Sequence, residues 1–246
     1  MRAGGYAPPE GETFMEQTRF LLGEIPAILW GPPGERGCLY IHGQGGGKEY
    51  AAGFAELAAA AGRQVLSIDL PEHGERAGQP GFDPWHAVPD IQAAADWARS
   101  RWSRLDLRAD SIGAWFSMLA MGDAPPERAL FVSPVLDMAR LIETMMDWAR
   151  VTEAVLEEAG TVPTGFGQTL SWEYLRYARE HPIVRWESPT DILYAGRDHL
   201  VSRDTVETFV RRFGCGLTVL EEGEHWFHTP EQLAALEAWT RRALEE

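Results

Sequence analysis

Ser111 lies in Ala109-Asp110-Ser111-Ile112-Gly113, a small–x–Ser–x–Gly pattern after the short run "LDLRAD" (105–110) and before a helical stretch to about Met121. A serine nucleophile on a strand-to-helix elbow has strained backbone angles, so the residues two before and two after it must be small. Ala109 and Gly113 meet that demand, with Ala standing where Gly is usual. The following helix would aim its free N–H groups at the serine and favour a developing anion. The alternative is a serine that caps a helix, common in any α/β fold.

Serine at its ordinary pKa needs a base beside it and a third group to orient that base. Asp198 comes just past the apolar run "DILYAG" (191–196), and His225 just past "LTVLEE" (217–222). In chain order the candidates are Ser111, Asp198 and His225, each on a loop after a strand-like segment. Asp137, after "ALFVSPV" (129–135), is a competing acid. His228 lies nearer the start of the last helix and reads as structural. His225 and His228 have nothing nearby to complete a ligand set, so no metal is expected. Asp204 is expected to cap or charge a helix over 204–213, and Asp110 to point away from its neighbour Ser111.

Acyl transfer also needs donors for an oxyanion. The N–H after the nucleophile, that of Ile112, is one. The glycine loop "HGQGGGK" (42–48) supplies the other, with Gln44 as the candidate. The same loop is a poor phosphate cradle. G-x-x-x-x-G-K-[ST] would need Gly at 42 and Ser or Thr at 49, where this chain has His42 and Glu49.

These residues need a scaffold that brings strand ends together. "CLYIH" (38–42) and "QVLSIDL" (64–70) read as buried strands, and "AAGFAELAAAAG" (51–62) between them as a helix. Residues 14–31 read as two strands around Gly23-Glu24. A helix over 91–102 has Ile91, Ala95, Ala98 and Trp102 on one face. Strands alternating with helices imply a mainly parallel sheet covered on both sides. Thr229, Pro230 and Gln232 have the pattern of a capping box opening the last helix, with Leu233, Leu236 and Trp239 as its buried stripe. Between Val135 and Asp191 the alternation stops. "DMARLIETMMDWARVTEAVLEEAG" (137–160) reads as one or two amphipathic helices and "SWEYLRYAREHPI" (171–183) as another. Such an excursion suits a lid, the alternative being a long crossover. Residues 1–13, rich in Gly, Pro and Glu, read as a loose arm.

The chain has 246 residues, 45% hydrophobic and 24% charged, with a formal net charge of −15. That charge repels phosphate backbones and anionic lipid, so nucleic acid and membrane partners are not expected. "MRAGGYAPPEGETF" has no apolar core of a signal peptide, and no apolar run is long enough to span a bilayer. The two cysteines, Cys38 and Cys215, form no disulfide framework or zinc spacing, which suits a reduced, cytoplasmic protein; their pairing in space stays open.

"YIHGQGG", "IDLPEHGER", "ADSIGAWFS", "LYAGRDHLVS" and "GEHWFHT", running from residue 40 to 229, together resemble the serial landmarks of the α/β-hydrolase superfamily. The layout is most similar to small carboxylesterases, monoglyceride-lipase-like enzymes and serine aminopeptidase-like hydrolases. The resemblance implies a mostly parallel eight-stranded sheet with helices on both faces, built from residues 1–135 and 188–246, and a small helical cap over 136–187. It implies Ser111 as nucleophile, His225 as base, Asp198 as acid, an oxyanion hole from Gln44 and Ile112, and no cofactor. The expected activity is hydrolysis of a small-molecule acyl substrate, an ester first. Amide, peptide or thioester hydrolysis on the same residues is the alternative, as is a ligand-binding protein without turnover. Trp115, Met138, Ile142 and Met145 are candidate substrate contacts, or else pack lid on core. A monomer or homodimer is expected.

Overall fold

In the computed structural model, which describes residues 15–245, apolar runs become strands whose alternate side chains face two separate cores. The first two strands, β1 (Gln17–Leu22) and β2 (Ile25–Trp30), form an antiparallel hairpin over Gly23 and Glu24. They are followed by β3 (Arg36–Ile41), α1 (Ala52–Ala60), β4 (Gln64–Ile68), α2 (Pro84–Arg101), β5 (Arg104–Asp110), α3 (Ile112–Met121) and β6 (Arg128–Val132). A helical excursion intervenes before β9 (Thr190–Ala195), α7 (Arg203–Phe213), β10 (Gly216–Leu220) and α8 (Pro230–Glu245). The excursion holds α4 (Met138–Ala149), α5 (Glu153–Ala159), the hairpin β7 (Thr161–Pro163) with β8 (Thr169–Ser171), and α6 (Trp172–Glu180).

The main sheet has eight strands in the order β1-β2-β4-β3-β5-β6-β9-β10. Only the β1–β2 and β2–β4 pairings are antiparallel. On β3, Cys38 and Tyr40 face the layer of α1 and α8, while Leu39 and Ile41 face α2 and α3. This is the period-2 consequence of a pleated strand covered on both sides. The excursion shares the second of these cores. Leu141, Ile142, Met146, Leu156, Leu170 and Leu175 are buried in one cluster with Trp115, Phe116 and Met118 of α3.

Several expectations shift. The helix expected over 91–102 begins at Pro84, where Asp83 accepts a hydrogen bond from the His86 N–H as N-cap and Pro84 sits at the first helical position. On α8 the buried stripe is Gln232, Trp239, Thr240, Ala243 and Leu244, with Leu236 partly buried. Leu233, expected inside, shares the angular position of Thr240 and Leu244 on that stripe but lies in the first turn of the helix and is 47% exposed. Thr229 caps the helix through the Gln232 N–H at 3.3 Å. The Gln232 side chain accepts from the N–H of His228 instead of closing a box on Thr229. The excursion also contains a short hairpin that its sequence did not announce. Cys38 on β3 and Cys215 beside β10 are both free. Four strand spacings of about 4.8 Å separate their strands, far beyond disulfide reach. The loose arm expected over 1–13 lies outside the described residues. Among the described residues no helix is long and apolar enough to cross a membrane.

Candidate active site

β5 ends at the sheet centre, and Ser111 follows it with φ 52° and ψ −125°, a left-handed conformation that non-glycine residues rarely adopt. Its own backbone holds it there. The Ser111 N–H donates to Val132 O at 2.9 Å, and Ser111 O accepts from the N–H of Val135 at 2.9 Å and of Ala114 at 3.1 Å. Close approach explains the small neighbours. A Cβ at Gly113 would lie 2.6 Å from His42 O and 2.9 Å from Ile41 O, and one at Gly43 would lie 2.8 Å from Ser111 Cβ. Ala109 fits without strain of that kind, buried in β5 in register with Ile41 and Phe131.

Ser111 Oγ lies 2.8 Å from His225 Nε2, and His225 Nδ1 lies 2.7 Å from Asp198 Oδ2. The carboxylate fixes the tautomer: Nδ1 carries the proton and donates, leaving the Nε2 lone pair to accept from the serine hydroxyl. The other Asp198 oxygen accepts from the N–H groups of Leu200 at 2.8 Å and Val201 at 3.0 Å. Asp198 is thus fully satisfied and its side chain fully buried, while that of His225 is 12% exposed. The two loops are tied at their roots, since Gly196 N–H donates to Leu220 O and Arg197 N–H to Gly223 O.

The competing candidates go elsewhere. Asp137 caps α4, accepting from the Arg140 N–H at 3.0 Å. His228 stacks on Trp226 and places Nδ1 2.8 Å from Trp226 O. Asp204 lies in the first turn of α7 and pairs with Arg140, while the cap is Ser202. Asp110 turns from the serine to Tyr40 Oη at 2.7 Å and Arg108 Nε at 2.9 Å. Burial pushes the Cys215 thiol up to about 11 and Cys38 well above its usual value, so neither thiol is an ionised nucleophile near neutrality. Among the described residues no group of three or more His, Cys, Asp and Glu side chains could hold a metal ion.

Ile112 opens α3, so its N–H has no intrahelical acceptor. Gln44 lies on the exposed part of the loop after β3. Of the expected substrate contacts, Trp115 and Met138 line a cavity of about 370 Å³ between α4, α6 and α7. Ile142 is buried, and Met145 packs partly buried against the same core. A second cavity, of about 140 Å³, lies behind Asp198 and His199.

Four supporting residues escaped the sequence reading: His42, Lys48, Asp69 and His73. In the sequence Lys48 stands out only as part of a phosphate-loop-like pattern. Its Nζ meets Asp69 at 2.6 Å, Glu75 at 2.8 Å and Glu49 at 3.2 Å, one carboxylate per proton. Burial alone would lower its pKa; these three partners outweigh it and hold the pKa above the usual value. Asp69, fully buried, also accepts the Lys48 and Glu75 N–H groups, so the pair pins the glycine loop to the β4 loop. Lys48→Met leaves that carboxylate without its cation and is expected to cost about 3–5 kcal/mol. Urea unfolding measures this, and a loss under about 0.5 kcal/mol would reject the role.

His42 is buried beneath the loop. Nδ1 donates to Gly43 O at 2.7 Å, and Nε2 accepts the Leu70 N–H at 3.0 Å. Burial, opposed by the Gly43 carbonyl and assisted by the nearby His73, lowers its pKa to about 4. The unfolded chain, with a value of about 6.5, takes up this proton first as pH falls. The folded state therefore loses stability from about pH 6.5 down to about 4, reaching about 2.5 kcal/mol near pH 4.5. His42→Gln should show a correspondingly smaller difference between denaturant midpoints at pH 7 and near 4.5; an unchanged difference counts against this assignment.

No protein-family model and no curated protein sequence matches the chain. Solved structures do. Est1E from Butyrivibrio proteoclasticus with bound ferulic acid superposes at a TM-score of 0.74 and 17% identity, over 93% of this chain and 98% of that one. The esterase Pf2001 from Pyrococcus furiosus gives 0.67 and 16%, over 100% and 95%. Mouse α/β hydrolase domain-containing protein 10 gives 0.74 and 12%, over 94% and 98%. The chain has the α/β-hydrolase fold.

Proposed function

We propose that this α/β-hydrolase-fold protein is a serine hydrolase of small carboxylic esters, acting through an acyl-enzyme, with the helical segment 136–187 as its cap. The observation that carries the reading is the unbroken relay from Ser111 through His225 to Asp198, at 2.8 and 2.7 Å, on a strained elbow. As Ser111 Oγ attacks the acyl carbonyl, His225 Nε2 takes its proton and Asp198 stabilises the cation. Charge develops on the carbonyl oxygen, where the N–H groups of Ile112 and Gln44 receive it. His225 returns the proton to the departing alcohol. Water, activated by the same imidazole, then attacks the acyl-enzyme and releases the acid and Ser111. Trp115 and Met138, both buried, would back the acyl side of the site, although the cavity they line between α4, α6 and α7 includes none of Ser111, Asp198 and His225. Esterases among the structural neighbours support ester cleavage. A thioesterase domain from the curacin biosynthetic pathway, at a TM-score of 0.57 and 18% identity over 92% of this chain and 99% of that one, favours thioesters as the second reading.

The test is a fluorophosphonate probe with the labelled peptide identified by mass, beside a panel of p-nitrophenyl esters and acyl thioesters of rising chain length. Labelling at Ser111 and turnover of short esters are expected. A folded protein that neither labels nor turns over any member of the panel would overturn the proposal.

A further inference from the structure

The loop from Gly43 to Gly47 consists of four glycines and Gln44, so nothing in its own side chains gives it a fixed shape. Its shape comes from below. Gly45, at φ 75°, donates its N–H to His73 Nε2 at 2.8 Å. His73 Nδ1 lies 2.8 Å from Pro71 O, an acceptor, so Nδ1 holds the ring proton and Nε2 presents its lone pair to Gly45. The ring is buried between His42, with centroids 4.9 Å apart, and Phe82, at 4.3 Å. Gly46 N–H turns back onto Gly43 O at 3.1 Å. The N–H groups of Gly45 and Gly46 are thus engaged inward, while that of Gln44, between them and Gly43, has no acceptor among the described residues. Gly43 is the loop residue against Ser111, because a Cβ there would touch Ser111 Cβ. Covalent geometry puts the Gln44 nitrogen about 2.4 Å from Gly43 Cα. The Gln44 amide therefore lies beside the serine without an acceptor among the described residues, and His73 holds the next amide along.

We propose that His73 is a positioning residue: its neutral imidazole anchors Gly45 so that the Gln44 N–H is held toward the oxyanion formed at Ser111. The inference rests on the serine-hydrolase reading. His73 touches no reacting atom, and its effect passes through the backbone of two residues. Losing the acceptor frees the Gly45 peptide to rotate and carries the Gln44 amide off its line. A lost oxyanion donor costs about 10²–10³ in kcat, and a donor that is only loosened should cost less.

The experiment compares wild type, His73→Phe and His73→Gln. Phe keeps a ring between His42 and Phe82 but offers no acceptor; Gln restores an acceptor oxygen at similar reach. With a p-nitrophenyl ester, His73→Phe should lose roughly 30- to 100-fold in kcat while KM stays within about threefold, and His73→Gln should recover most of that loss. The second readout is the preference for an ester over its thionoester, whose sulfur is a poor acceptor for oxyanion donors. That preference should fall at least about tenfold in His73→Phe, which a merely structural role would not produce. Should His73→Phe not fold, the decision passes to His73→Gln and a Gly45→Ala partner: near-wild-type turnover in the first and a reduced ester preference in the second sustain the proposal. An unchanged kcat in folded His73→Phe overturns it, as does a lower kcat with the ester preference intact. A wild type without turnover or labelling is a different outcome: it removes the serine-hydrolase reading and this inference with it.

Discussion

Ser111→Ala is expected to lower ester turnover by about 10³-fold or more, and to abolish fluorophosphonate labelling, while the protein stays folded. The folded state is unthreatened because, among the described residues, the Ser111 hydroxyl hydrogen-bonds only to His225; the elbow itself is held by backbone bonds to Val132, Val135 and Ala114. Those bonds also force the left-handed φ of 52°, which costs on the order of 1–3 kcal/mol for a residue with a Cβ. Ser111→Gly removes that Cβ, so it should be as inactive as Ser111→Ala yet melt at a higher temperature. Calorimetry on the two variants separates the strain from the hydroxyl. Equal melting temperatures would mean that the elbow stores no strain, and turnover within about tenfold of wild type in either would remove Ser111 as nucleophile.

Asp198→Asn should cost about 10⁴-fold in kcat, for a reason visible in its hydrogen bonds. One carboxylate oxygen is committed to the N–H groups of Leu200 and Val201. An asparagine must keep its carbonyl oxygen there, which turns its NH₂ toward His225 Nδ1. A donor now faces that nitrogen, so the imidazole must place its proton on Nε2, where it meets Ser111 and cannot take the hydroxyl proton. The loop stays folded and circular dichroism should be unchanged. Asp137→Asn is the matched control. Asn caps a helix as well as Asp, and Asp137 serves α4, so activity should stay within about threefold of wild type. If Asp137→Asn were the more damaging of the two, the acid would have been assigned to the wrong strand.

The sequence exposes what depends on local pattern. Cys38–Ile41 is apolar without interruption, and Val65–Ile68 apart from the buried Ser67, because both faces of those strands are covered. The glycine loop, the small residues around Ser111 and the acid and histidine after later strands could be read for the same reason: each is a short motif tied to a strand end. What stayed hidden depends on distant partners or on a weak period. Lys48 finds Asp69 twenty-one residues away, and Gly45 finds His73 twenty-eight away. Neither histidine nor lysine belongs to a pattern that announces such a bond. The first turns of α2, with Pro89 inside and Trp85 at 39% exposure, carry too little apolar periodicity to be recognised. Leu233 shows the converse, an apolar residue at a plausible helical spacing that the packing leaves in solvent.

The chain leaves β6 at Val132 and re-enters the sheet at Thr190, yet β6 and β9 are immediate neighbours in register from Ala129↔Thr190 to Val132↔Leu193. That register is set by the two strands themselves, so the segment between them is a cassette rather than a brace. Loop-closure cost grows only logarithmically, about 0.6 kcal/mol for each doubling of length. Lineages could therefore trade, lengthen or shorten this cassette and change what enters from above while the machinery beneath stays put. One condition limits the exchange. Leu156, Leu170 and Leu175 close the core over Trp115 and Phe116, so any replacement must bring its own greasy underside or leave that core open to water.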